Sequence, residues 1–121
     1  MNIESIRDYC LTLPRATEDF PFDDTTLVFR IEGKIFALVD LERHDRLMLK
    51  CDPEYAETLR EHHAEVEPGW HMNKRYWNML NLVGCLSDEL ICHLIRHSYN
   101  QVLKRFSHRM RESMGLEFVE E

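Results

Sequence analysis

The chain has 121 residues, a formal net charge of −7, and 44% hydrophobic and 31% charged residues. That length supports one soluble domain with its own core, and the acidic balance argues against a protein that holds nucleic acid over its whole surface. No apolar run approaches the ~20 residues needed to cross a bilayer, and the opening MNIESIRDYC has no secretory pattern, so the cytoplasm is the expected compartment.

Residues 2–13 read as an amphipathic helix. Asn2 is placed to cap it, Ile3, Ile6, Cys10 and Leu13 recur at helical spacing, and Pro14 ends it. The following RATEDFPFDD reads as an irregular loop: Phe20 and Phe22 anchor it, while Glu18, Asp19, Asp23 and Asp24 stay in water. Three strands come next. LVFRIE alternates apolar and charged residues, Glu32-Gly33-Lys34 is a tight turn, KIFALVD is apolar on both faces and so central, and RLMLKC alternates again.

Asp52 followed by Pro53 is a strong helix start, with Ala56 and Leu59 facing inward. A short strand is expected over 64–67, then the Pro68-Gly69 break, then a strand within 73–82. Ser87 caps the longest predicted helix, which runs past Lys104, Arg105, His108 and Arg109; its apolar stripe passes through Leu90, Ile91, Leu94, Ile95, Ser98 and Val102. GLEFVEE is a short acidic tail, disordered or docked through Leu116 and Phe118. The order α-β-β-β-α-β-β-α describes an α+β domain of two layers, a curved antiparallel sheet packed on helices. One domain is expected over 1–121, its core within about 1–107.

Little in the chain points to catalysis. Cys10, Cys51, Cys85 and Cys92 lack a CxxC spacing and read as free thiols. His93 and His97 are four apart, but the apolar stripe puts them and Asn100 on the watery side, with too few converging ligands for a metal. No phosphate-cradling glycine loop or nucleophile elbow exists. The chain is expected to be non-enzymatic, with neither cofactor nor metal.

Charge is unevenly distributed. Residues 1–70 balance at −8, residues 71–111 at +5 and the last ten at −4. Within EPGWHMNKRYW, Lys74 and Arg75 beside Trp70, Tyr76 and Trp77 combine cations for phosphates with flat rings for bases. Trp77, alternating with Met79, reads as core in preference to surface, and Trp70 reads either as a surface ring or as a plug after Pro68-Gly69. The basic reading requires the cations from Met72 to Arg111 to gather on one face.

The segments LPRATEDFPF, VFRIEGKIFALV, LKCDPEYAETLRE, PGWHMNKRYWNML and DELICHLIRHSYNQV resemble, in order and spacing, the YjbR/MmcQ family of small bacterial proteins over about 1–107. The first loop is more charged than the family's, with Arg15 and Asp23 at small positions. The resemblance implies the fold drawn above, compared elsewhere to a double wing, and a DNA-binding role whose partner is double-stranded DNA. It places Lys74 and Arg75 at the main contact, with Arg30 and Lys34 on the first hairpin; Lys104 and Arg105 add the basic end of the long helix. The family also resembles secretion-chaperone folds, and this implies a second reading: a protein- or peptide-binding adaptor using the surface of Trp70, His71 and Asn73.

Overall fold

The computed structural model describes residues 1–69 and 72–121. Helix α1 (Ile3–Thr12) starts at a reciprocal capping box: Asn2 Oδ1 accepts from the Ser5 N–H at 2.8 Å and Ser5 Oγ from the Asn2 N–H at 3.0 Å. The chain then forms β1 (Ala16–Asp19), β2 (Thr26–Ile31), β3 (Lys34–Asp40), β4 (Arg46–Lys50), α2 (Pro53–His62), β5 (Val66–Pro68), β6 (Trp77–Asn81), α3 (Asp88–Leu103) and α4 (His108–Met114). The strands make one open antiparallel sheet, ordered β1-β2-β3-β4-β6-β5. This is the α+β fold expected, with β1 and α4 added.

Both additions have physical causes. The sequence ATED carries no apolar alternation, so β1 is invisible as a strand. It is held by backbone pairing to β2 and by two ion pairs, Arg7 with Glu18 on the helical side and Arg30 with Asp19 (2.9 Å) on the other. Glu18 is therefore half-buried in its ion pair, while Asp19 is paired but stays exposed to water. The expected long helix stops at Leu103 because Phe106 turns into the core and Ser107 caps a new helix, accepting from the Met110 N–H. Lys104 and Arg105 lie in that turn, and His108 and Arg109 in α4. Phe20 and Phe22 are not buried anchors: they are 47% and 65% exposed.

Helices and sheet bury the main core between them. Phe29, Phe36, Leu47, Leu49 and Leu80 from the sheet meet Ile91, Ile95, Tyr99 and Leu103 from α3. Each such fully buried side chain contributes about 1.5–3 kcal/mol. Phe36 meets the Tyr99 ring edge-on at 5.6 Å, and the Tyr99 hydroxyl donates to Pro14 O at 2.7 Å. The Glu32-Gly33 turn has two positive φ values, 46° and 84°, as a two-residue hairpin requires.

A bulge between β2 and β3 shapes the sheet. Phe29 pairs with Ala37 and Arg30 with Ile35, leaving Phe36 as the extra residue. Phe36 and Ala37 thus both join the helical side, while Ile35 and Leu38 join the other. Beside the bulge the Ser98 hydroxyl bridges two strands, accepting from the Lys50 N–H at 2.8 Å and donating to Phe36 O at 2.5 Å. That buried serine joins α3 to β3 and β4 next to Lys50.

The expected watery face of α3 is covered. His97 is 7% and Asn100 3% exposed. Residues 116–121 fold back over them: Leu116 enters the core, while Phe118, 47% exposed, stacks under the Arg111 guanidinium at 4.6 Å. The periodic stripe identified the sheet-facing residues correctly, but a polar helix face can be buried against polar chain, and periodicity does not register that.

Candidate functional site

The face of the sheet turned away from the helices is built by strand parity. Leu27, Phe29 and Ile31 point to the helices, so Thr26, Val28 and Arg30 point away. Likewise Arg46, Met48 and Lys50 of β4, and Trp77 and Met79 of β6, share this open face. At its centre Val28, Leu38 and Trp77 are buried in a second, smaller cluster with Ile35, Met48 and Met72 against it. Trp77 is thus core, in a layer separate from the main one.

Two depressions adjoin on this face, with Met72 lining both. One, of about 330 Å³, is lined by Arg30, Lys34, Lys50 and Arg105 with Ile35, Trp77, Gly33 and Val102. Register explains the convergence: Arg30 pairs with Ile35, Ile31 with Lys34, and Lys50 with Trp77, so all these cations lie at one end of the sheet, where the turn after α3 delivers Arg105. Arg30 is tied to Asp19 and donates to Gly33 O at 2.8 Å. The Lys34 ammonium sits 5.3 Å from the Phe106 ring centroid. Among the described residues no carboxylate lines this pocket. Burial, then the nearby charges of Arg105 and Lys34, hold the Lys50 ammonium below the ordinary lysine range. Like charges gathered in this way make the pocket a candidate anion site.

The second depression, about 570 Å³, is a mainly apolar groove lined by Phe22, Leu38, Val39, Met48, Met72 and Met79, with Asp40, Arg43 and Arg46 at its polar end.

Of the residues singled out in the sequence, the structure brings Arg30, Lys34 and Arg105 together. Lys104, Lys74 and Arg75 are exposed but do not line the pocket. Lys74 and Arg75 stand in the turn leading into β6, at the same sheet end; Lys74 O accepts from Arg60 Nη1 at 3.5 Å and the Arg75 guanidinium lies 5.7 Å from the Tyr76 ring centroid. Asn73 shapes that turn, its Oδ1 accepting from the Arg75 N–H. Trp70 and His71 lie outside the described residues.

The cations from Met72 to Arg111 do not gather into one patch. Arg96 binds Tyr9 Oη and Glu121 O, and Arg111 stacks on Phe118. The basic pocket draws three of its four cations from the acidic half of the chain. Lys50 was not foreseen. Its signal was available in RLMLKC, where parity puts Arg46, Met48 and Lys50 on one face, but only the β4–β6 pairing sets it beside Trp77.

Among the described residues no group of three or more histidine, cysteine, aspartate or glutamate side chains is arranged to hold a metal, and no helix is long and apolar enough to cross a membrane.

The YjbR family model matches residues 11–101. The chain is 33% identical to the YjbR protein of Escherichia coli over 113 residues, 93% of this chain and 96% of that one. It is 32% identical to the YbdF protein of Escherichia coli over 107 residues, 88% of each. Among solved structures, Deinococcus radiodurans protein DR2400 superposes with a TM-score of 0.91 at 39% identity, covering 98% of this chain and 91% of that one. A Pseudomonas syringae protein superposes at 0.72 and 27% identity, covering 84% and 98%. Sequence and structure agree: the chain belongs to the YjbR family.

Proposed function

We propose that the protein binds double-stranded DNA without catalysis, gripping backbone phosphates with the basic end of the open sheet face. The observation that carries this reading is the pocket where Arg30, Lys34, Lys50 and Arg105 meet beside Trp77, with no carboxylate among its described lining residues and Arg30 ion-paired at its edge to Asp19. The β2–β3 hairpin turn stands at that same end and serves as the wing. Lys74, Arg75 and Lys104 are the outlying contacts. Burial pushes the Cys10 and Cys51 thiols up to about 12, so neither offers a reactive thiolate.

Titrating a labelled mixed-sequence duplex by fluorescence anisotropy at two salt concentrations tests this. With three to four phosphates neutralised, log affinity falls with log salt at a slope of about −3, roughly 60-fold between 50 and 200 mM. Absence of binding at low salt, or binding indifferent to salt, overturns it.

A second reading is favoured by the methionine-rich groove: a protein- or peptide-binding adaptor that takes an apolar segment along Met48, Met72 and Met79. Met48→Ala then weakens peptide capture and leaves duplex binding within about threefold. Undiminished capture by that variant overturns the adaptor.

A further inference from the structure

On the helical side of the sheet, far from strand-face chemistry, α3 carries a second polar apparatus. Residues His93, Arg96, His97 and Asn100 present it along one helix face, and it already holds a ligand: residues 119–121 of the chain itself. Asn100 reads a peptide unit in both directions, its Nδ2 donating to Val119 O at 2.8 Å and its Oδ1 accepting from the Val119 N–H at 2.9 Å. No side chain at position 119 is needed for that pairing. Two residues on, the Glu121 carboxylate is divided: Oε1 accepts from His97 Nδ1 at 2.8 Å and Oε2 from Asn100 Nδ2 at 3.0 Å. The Glu121 main-chain oxygen accepts from His93 Nδ1 at 2.9 Å and Arg96 Nη2 at 2.8 Å.

Each receptor group is oriented from behind. The Asp52 N–H donates to His97 Nε2 at 3.1 Å, which leaves the proton on Nδ1 to meet the carboxylate. The Tyr55 hydroxyl stands 3.0 Å from His93 Nε2 and donates to it, setting the same tautomer, and Tyr9 Oη accepts from Arg96 Nη1 at 2.7 Å. Tyr55 also stacks edge-on against His97 at 5.1 Å. Three helices thus fix one small set of donors, as a binding site requires. Partial burial acts to raise the Glu121 carboxyl, yet the hydrogen bonds from Asn100 and His97 act against it, and the carboxyl is held below the usual range. The receptor residues Tyr55, His93, Arg96, His97 and Asn100 lie inside the stretch matched by the family model, residues 11–101; the segment filling the groove lies outside it.

We propose that this groove is a recognition site for an extended acidic peptide, reading one peptide unit through Asn100 and a glutamate two residues later through His97, and that residues 116–121 occupy it in cis until an acidic segment of a partner protein displaces them. The contacts are to main chain and carboxylate, so they admit any extended segment with a glutamate two places after the peptide unit that Asn100 reads. Phe118 and Glu120 remain exposed and add little selectivity.

The test uses the full chain with Val119→Pro and Glu121→Ala, which remove the donor to Asn100 and the carboxylate, and a fluorescein-labelled peptide LEFVEE. The released variant binds the peptide at least about tenfold more tightly than wild type, whose own tethered copy competes at roughly millimolar effective concentration. The same peptide ending in alanine loses that binding. A variant with wild-type circular dichroism that binds no better than wild type, or that accepts the alanine peptide equally, overturns the proposal. Wild type gives an independent reading: millimolar peptide shifts the Glu121 amide resonance to its random-coil position, and an unmoved resonance at saturation also overturns the proposal.

Discussion

Replacing Lys50 with methionine separates a binding role from a structural one. Lys50 lies on β4 opposite Trp77, half-buried, with its ammonium disfavoured first by burial and then by Arg105 and Lys34. Methionine keeps the unbranched stem and suits a face already holding Met48 and Met72. Relief of the repulsion, discounted for solvent screening, stabilises the unliganded protein by about 0.5–1 kcal/mol, which for a domain of this length raises Tm by about 2–4 °C. Lys50 titrates lower in the folded than in the unfolded state, so its cost is complete below the folded value and disappears as pH rises past the unfolded one, near 10.4. The stability gain of Lys50→Met therefore shrinks as pH rises through the lowered folded value towards the unfolded one. Duplex affinity falls about three- to tenfold at low salt, and the salt slope becomes shallower by about one. Thermal melts across pH and anisotropy titrations read both effects. A variant less stable than wild type, with duplex binding unchanged, would show that the lysine stem is merely packing and refute the reasoning.

Further outcomes follow from contacts elsewhere. A Cβ on Gly69 would stand 2.9 Å from Trp77 Cβ and 3.2 Å from Met48 Cε, so Gly69→Ala costs about 1–3 kcal/mol in urea unfolding and disturbs the open face. Ser98→Ala leaves the Lys50 N–H and Phe36 O without their bridge and costs about 2 kcal/mol; because it loosens β4 at Lys50, it also weakens duplex binding. The hydrogen bond from Arg7 holds the Glu18 carboxyl below its usual range, so its contribution is present above about pH 4.5 and lost as pH falls through the lowered folded value. Glu18→Gln accordingly flattens the acid limb of the stability curve, read by chemical denaturation as pH falls below about 4.5.

What the sequence disclosed follows from which interactions leave a periodic trace. Strands such as TLVFRI and RLMLK bury every second residue, and the Asp52-Pro53 start of α2 is a local chemical signal, so the two-layer fold was legible. β1 was not, because its partners are two arginines distant in sequence rather than an apolar face. The polar side of α3 was misassigned to solvent, since nothing local in HLIRHSYN announces that Glu121 will return to it. At the basic pocket, Arg30 and Lys34 were visible from the hairpin, whereas Lys50 needed the non-local β4–β6 register. Net charge by segment misled for the same reason: the pocket is assembled across the sheet, and linear blocks of charge do not report that.

Paired charge reversals test the central claim most directly. Lys34→Glu with Lys50→Glu alters the basic pocket, and Arg43→Glu with Arg109→Glu makes the same change in net charge at exposed sites outside it. The account predicts that the first pair abolishes duplex binding in anisotropy at 50 mM salt, while the second retains it within about threefold. Equal losses from both pairs would mean that only net charge matters, contradicting a localised phosphate grip at this end of the sheet.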